Sequence, residues 1–208
     1  MIKGYIFDMD GTLIDSMPMW FNINREFLNS MNIELTEELA RALGPLTVTE
    51  TVDYLLKRFG FPMTKEELLN MFFEIVRQKY ITDVSVKPGV FDFLKYSKEH
   101  HMRMCIATAT EAELALEVVE RLGLMDYMEF LISCKDVGES KNHPTVYLEA
   151  AKKLQLAPQE IDVFEDVYYC AETAKNAGFN VVGVRDSMVS DKEALMLKNL
   201  CDRYIISF

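Results

Sequence analysis

The chain has 208 residues, half of them hydrophobic and 26% charged, with a formal net charge of −11. That length and apolar content allow a sizeable core and exclude a disordered chain, and the acidity disfavours nucleic acid or an anionic membrane as partner. No apolar run approaches the roughly 20 residues that span a bilayer, and Met1-Ile2-Lys3 leads straight into strand-like sequence rather than a signal peptide, so a soluble, cytoplasmic protein is expected; a monomer is taken as the expectation, with nothing in the sequence that fixes the oligomeric state. An anionic substrate stays compatible with the charge, because one bound cation reverses the local field.

The first element in the chain is "GYIFDMD", a short apolar run that ends in two carboxylates, Asp8 and Asp10, and leads into "GTLIDS". Later runs of the same kind are "RMCIATAT", "EFLISC", "IDVFED" and "NVVGVRD". Each is too short for a typical helix and reads as a strand buried on both faces. Helical patterns separate the later strands, at residues 111–122, 144–154 and 168–177; Gly123 and Gly178 follow two of them as C-terminal stops. Strand–helix alternation predicts a Rossmann-like, doubly wound parallel α/β sheet with right-handed crossovers.

Residues 15–83 break that rhythm. They contain no convincing strand and read as helices near 17–31, 36–43, 48–59 and 64–80, separated by "LGPL" and "FGFP". Glu66, Leu68, Leu69, Phe72, Phe73, Ile75 and Val76 form a stripe at helical spacing. The reading is an all-helical insert, 15–83, on linkers near Asp15–Pro18 and Asp83–Pro88, inside an α/β core made of residues 1–14 and 84–208. The four cysteines, Cys105, Cys134, Cys170 and Cys201, lack CxxC or CxH spacing and read as reduced thiols rather than a zinc site.

Ligands of an open parallel sheet bind beyond the carboxyl ends of its strands. Those ends carry Asp8 and Asp10, Thr108, and Glu165 with Asp166; Lys141 lies just beyond the third strand. Taken singly, each has an ordinary explanation: a turn or helix-capping Asp, a solvated Lys, a capping Thr, an acidic pair at a helix start. Taken together, acids, a hydroxyl and a lysine in one crevice suit a divalent cation and a phosphoryl group. Mg²⁺ prefers carboxylate oxygens, and Asp8 and Asp166 from different strands can supply two. Asp8 and Asp10, two residues apart, share a face of the strand, so one can attack phosphorus while the other meets the leaving oxygen. Lys141 balances charge there. Thr108, with the N–H groups of Ala109 and Thr110, is placed to cradle phosphate oxygens.

"FDMDGTLIDS", Thr108 in "CIATAT", Lys141 in "SKNHP" and Glu165-Asp166 in "VFEDV" resemble, in order, the four motifs of the haloacid dehalogenase superfamily, in its phosphatase and β-phosphoglucomutase-like branch. The resemblance covers nearly the whole chain, and it implies that the helical insert is that branch's cap. It implies a nucleophilic Asp8 forming an aspartyl-phosphate, with Asp10 as acid and then base, Thr108 and Lys141 on the phosphoryl group, and Mg²⁺ as cofactor. The implied metal residues are Asp8, Asp10, through its backbone carbonyl, and Asp166, with Glu165 beside it in the acidic cluster. Trp20 and Gly44 are candidate substrate contacts in the insert, although Trp20 reads equally well as core packing.

Asp10 disfavours carbon–halogen cleavage, since the dehalogenases that named the superfamily lack that acid. β-Phosphoglucomutases carry a His where Trp20 stands and an Arg in the segment that here reads "GPLT", so hydrolysis of a small phosphorylated metabolite is expected over isomerisation. Response-regulator receiver domains also combine acids, Thr and Lys, but their phosphoacceptor follows the third strand, which here ends in Ser133-Cys134. Two departures from the family pattern remain. Ser140 and Asn142 flank Lys141 where Gly and Pro are usual, and Val167-Tyr168-Tyr169-Cys170 replaces the usual Ser and Gly after the acidic pair.

Overall fold

A computed structural model describes residues 1–43, 46 and 48–208, apart from the side chain of Arg41. Gly44 and most of the Gly44–Thr47 segment therefore lie outside the described residues.

Strand β1 (Gly4–Phe7) opens the chain. Helices α1 (Met17–Ser30), α2 (Glu37–Leu43), α3 (Val48–Phe59) and α4 (Lys65–Thr82) follow, with no strand between them among the described residues. The chain then alternates through α5 (Val90–Glu99), β2 (Arg103–Thr108), α6 (Ala112–Arg121), β3 (Phe130–Ser133), α7 (Cys134–Val137), α8 (Thr145–Lys153), β4 (Ile161–Glu165), α9 (Tyr168–Asn176), β5 (Asn180–Val184), α10 (Asp191–Leu200) and β6 (Arg203–Ile205). The chain divides into two compact units, residues 1–17 with 85–208, and residues 18–84.

Among the described residues of the first unit, the sheet holds six parallel strands in the order β3-β2-β1-β4-β5-β6. The doubly wound α/β core expected from the sequence is present. Strand order reverses at β1, so the crevice of this sheet opens where β1 and β4 end. Their register is tight: Phe7 pairs with Ile106 on one side and Phe164 on the other. One face of the sheet packs Ile6, Ala107 and Val163 against Tyr147, Ala150 and Leu154 of the α8 region. The other face is aromatic, with Phe7 and Phe164 rings 4.7 Å apart and Phe93 and Phe208 closing the cluster. Gly89, at φ +83°, lets the chain pass the Phe208 backbone so closely that a Cβ would lie 2.9 Å from its carbonyl carbon.

The second unit is helical. In α4, Leu68, Phe72, Val76 and Tyr80 are buried, one residue every four, and the Phe72 and Phe27 rings meet edge to face at 4.9 Å. The buried stripe is narrower than the pattern read from sequence: Glu66 is exposed and Phe73 is 39% exposed. Thr64 caps α4 in a reciprocal box with Glu67, which fixes where the helix starts. Residues of the two linkers pair within the first unit: Asp15 N–H donates to Ser85 O, Lys87 N–H to Leu13 O, both at 2.9 Å, and Ile14 beside them pairs with Val86.

Candidate active site

Asp8 continues the sheet ladder one residue past β1, its N–H donating to Phe164 O at 3.0 Å. The chain then turns sharply: the N–H groups of Leu13 and Ile14 both reach Met9 O, and Gly11 N–H donates to Ile14 O. Gly11 holds φ +77°, and a Cβ there would lie 2.8 Å from Asp166 Cγ. The glycine is thus required twice, by the turn and by the approach of the β4 acid. On β4, the parallel register sets Glu165 at the strand's last position and Asp166 just beyond.

Lys141 is 4% exposed and its ammonium bridges Asp8 Oδ1 and Glu165 Oε1, the latter at 2.7 Å. Tyr147, fully buried on α8, donates its hydroxyl to the same Glu165 oxygen at 2.6 Å. Asp166 Oδ1 accepts from the Thr12 hydroxyl at 3.2 Å, whereas Asp166 Oδ2 is buried with no hydrogen-bond partner. Carboxylate oxygens of Asp8, Glu165 and Asp166 lie within 4.8 Å of one another, and all three residues are buried. A buried acceptor without a donor is costly, and three clustered acids are costlier still. An all-oxygen donor set with one open acceptor fits a hard divalent cation.

The electrostatics carry the same message. Burial pushes the Asp8 carboxyl well above the ordinary range, against the pull of Lys141 and with the help of Glu165 and Asp166. Burial, then the Glu165 charge, pushes Asp166 up to about 7; of the cations around it, Lys87 pulls it down more than Lys141 does. Lys141 is disfavoured as a cation by burial, but the Asp8 and Glu165 charges outweigh that and hold it firmly protonated.

The Asp10 carboxylate lies outside that group of three. Its two oxygens accept from Ser16 Oγ and Thr110 Oγ1, each at 2.7 Å. Thr108 is fully buried at the end of β2, and its hydroxyl oxygen accepts from Thr110 N–H at 3.1 Å, so one of the two amides expected to face a phosphate is engaged locally. Ala109 is exposed. Within the helical unit, the Trp20 indole donates to Tyr80 Oη at 3.0 Å and meets its ring edge-on. That contact gives Trp20 a packing role there. Gly44 is outside the described residues.

Thr12, Ser16, Tyr147 and Lys87 were not singled out from the sequence. Thr12 and Ser16 lie inside "DGTLIDS" and could have been read as polar partners of its acids. Tyr147 sits where a helix shows an ordinary core position, and its hydroxyl gives no separate signal.

The model of the haloacid dehalogenase-like hydrolases matches residues 5–184. A phosphorylated carbohydrates phosphatase from Thermotoga maritima is 29% identical over 196 residues, covering 94% of this chain and 90% of that protein. Hexitol phosphatase B of Escherichia coli is 30% identical over 171 residues, with 79% and 75% covered. The solved structure of a candidate β-phosphoglucomutase from Thermotoga maritima, 27% identical, superposes with a TM-score of 0.84 over 98% of this chain and 94% of that one. A match that spans residues 5–184, most of the chain, shows that this chain belongs to the haloacid dehalogenase-like hydrolases.

Proposed function

We propose that the protein is a Mg²⁺-dependent phosphomonoesterase acting on a small phosphorylated metabolite of the sugar-phosphate kind, through an aspartyl-phosphate on Asp8. The observation that carries this reading is the buried triad of Asp8, Glu165 and Asp166, bridged on one side by Lys141 and left with an unpartnered Asp166 oxygen on the other. The names of the relatives supply the substrate class. Residues 15–83 serve as the helical cap, the part of the chain that discriminates among substrates.

Asp8, Asp166 and the Asp10 carbonyl would hold the ion, with Glu165 adding negative charge while it anchors Lys141. Bound there, Mg²⁺ offsets carboxylate repulsion and draws charge from the phosphate oxygens. An Asp8 oxygen attacks phosphorus as the bond from phosphorus to the ester oxygen breaks. Asp10 passes a proton to the departing alkoxide. Water then attacks the phosphorus of the acyl-phosphate, giving its proton to Asp10, and the Asp8 carboxylate and inorganic phosphate are released. The Lys141 ammonium and the Thr108 hydroxyl meet the phosphoryl oxygens, and Lys141 keeps its charge because the Glu165 carboxylate faces it in every step, joined by Asp8 before and after the covalent one.

A panel of sugar phosphates, nucleotides and small organic phosphates, assayed for inorganic phosphate with Mg²⁺, tests the reading. Phosphorus NMR of β-glucose 1-phosphate with a bisphosphate primer separates hydrolysis from isomerisation: free phosphate is expected, and accumulation of glucose 6-phosphate would overturn the hydrolase assignment. Asp10→Asn gives a finer check. Asn can accept from one of the Ser16 and Thr110 hydroxyls and donate its amide to the other, but it cannot donate an acid proton, so turnover should fall by roughly 10²–10⁴-fold on alkyl phosphates, the usual worth of general acid–base catalysis. Loss on nitrophenyl phosphate, whose leaving group needs no proton, should be smaller. Equal losses on both would remove Asp10 from the acid role.

A further inference from the structure

Lys87 lies on the stretch that follows the helical unit, far in sequence from every motif of the site, yet its side chain is only 12% exposed and its ammonium faces three acceptors. It donates to Gly11 O, to Arg185 O at 3.2 Å and to Asp186 Oδ2 at 2.7 Å. Asp186 is wholly buried at the end of β5, and its other oxygen accepts from Met188 N–H at 2.8 Å, so the carboxylate is fixed from both sides. The tether thus joins the loop after β1 to the loop after β5. Gly11 is the residue that lies against the Asp166 carboxylate, and Thr12, its neighbour, donates to Asp166 Oδ1.

We propose that Lys87, seated on Asp186, is a positioning residue of the metal site: it holds the Gly11–Thr12 turn against Asp166 and so keeps Asp166 Oδ2 aimed at the cation. The inference rests on the reading of that site as a Mg²⁺ centre. A lysine is well suited to the task. Three donors on one tetrahedral ammonium can satisfy two carbonyls and a carboxylate at once, and the ion pair compensates the burial of both charges.

Two physical effects of removing Lys87 have opposite signs, which makes the idea testable. Deleting a cation near an acidic cluster should by simple Coulomb attraction tighten Mg²⁺ binding. Releasing the turn that orients Asp166 should weaken it. Positioning is expected to win: Lys87→Met should bind Mg²⁺ about 10-fold more weakly by titration calorimetry on the substrate-free protein, in the range lost when outer partners of a metal ligand are removed. Its kcat at saturating Mg²⁺ should fall while KM for the phosphomonoester stays near the wild-type value. Asp186→Asn, which keeps an oxygen for Lys87 but loses the charge, should move both quantities the same way by less. Should Lys87→Met fail to fold, Asp186→Asn and Lys87→Arg carry the same comparison. Mg²⁺ affinity and kcat that stay at wild-type values, or affinity that tightens, would overturn the positioning role and leave Lys87 as a structural ion pair. Wild-type protein that binds no Mg²⁺ would instead remove the metal reading on which it stands.

Discussion

Asp8→Asn is expected to fold, to keep its place at the end of β1, and to lose turnover by on the order of 10⁴–10⁶-fold, the range seen when a covalent nucleophile is deleted. The expectation follows from what the substitution leaves intact. The Asp8 N–H bond to Phe164 O belongs to the backbone, and Lys141 retains Glu165 Oε1 as a partner at 2.7 Å. The buried site also loses one of its clustered negative charges, so metal-free Asp8→Asn should melt no lower than the wild type near neutral pH. What disappears is the oxygen anion that bonds to phosphorus, because an amide cannot form the acyl-phosphate. Acid quenching during turnover of a phosphorus-labelled substrate should trap label on the wild-type protein and none on Asp8→Asn. A variant that turned over at the wild-type rate, or that still trapped label, would end the covalent mechanism at this residue.

Much of this was legible before any coordinates. Five strands are legible because each is a short, mostly apolar run that ends in polar residues, as suits a strand buried on both faces. β6 did not: it has three residues, begins at the exposed Arg203 and sits on the sheet edge, where pairing to β5 rather than composition makes it a strand. The turn of helix at Cys134–Val137 was hidden by reading Ser133-Cys134 as a strand end. Ser133 in fact accepts from Asp136 N–H, while Asp136 accepts from Ser133 N–H, a capping box whose S-x-x-D spacing was visible in the chain. The principal acids of the site were legible because a local motif carries them. The Lys87–Asp186 tether was not, since its partners lie 99 residues apart and only the fold brings them together. Val167 offers no side-chain cap to α9, as its type dictated, and Asp166 nevertheless keeps its place in the buried acidic group.

Thermal stability should reveal the metal through its pH dependence, without any assay of activity. In the metal-free protein burial raises the carboxyls of Asp8 and Asp166 above their unfolded values, Asp166 to about 7. A raised folded-state pKa means that the folded protein holds the proton more tightly than the unfolded chain does. The resulting stability is fully present below the unfolded pKa of about 4 and is lost as pH rises through the folded value. Metal-free protein should therefore lose stability between about pH 4 and 7 at this site, by an amount on the order of a few kcal/mol. On the proposed reading Mg²⁺ would bind the ionised acids, displacing protons, so its stabilising effect should grow over the same interval. Melting curves with and without Mg²⁺ should nearly coincide at pH 5 and separate by several degrees at pH 8. Asp166→Asn removes this residue's share of both effects and leaves that of Asp8. The Asn amide can still accept from Thr12 and adds no charge, so the metal-free variant should match or exceed the wild type at pH 8 and gain less from Mg²⁺. Its Mg²⁺ requirement for turnover should rise by orders of magnitude, whereas Glu165→Gln, which retains a carbonyl oxygen for Lys141 and Tyr147, should raise it less. If Mg²⁺ raised the melting temperature of Asp166→Asn as far as that of the wild type, the cation would be binding elsewhere. The unpartnered Asp166 oxygen would then need another occupant.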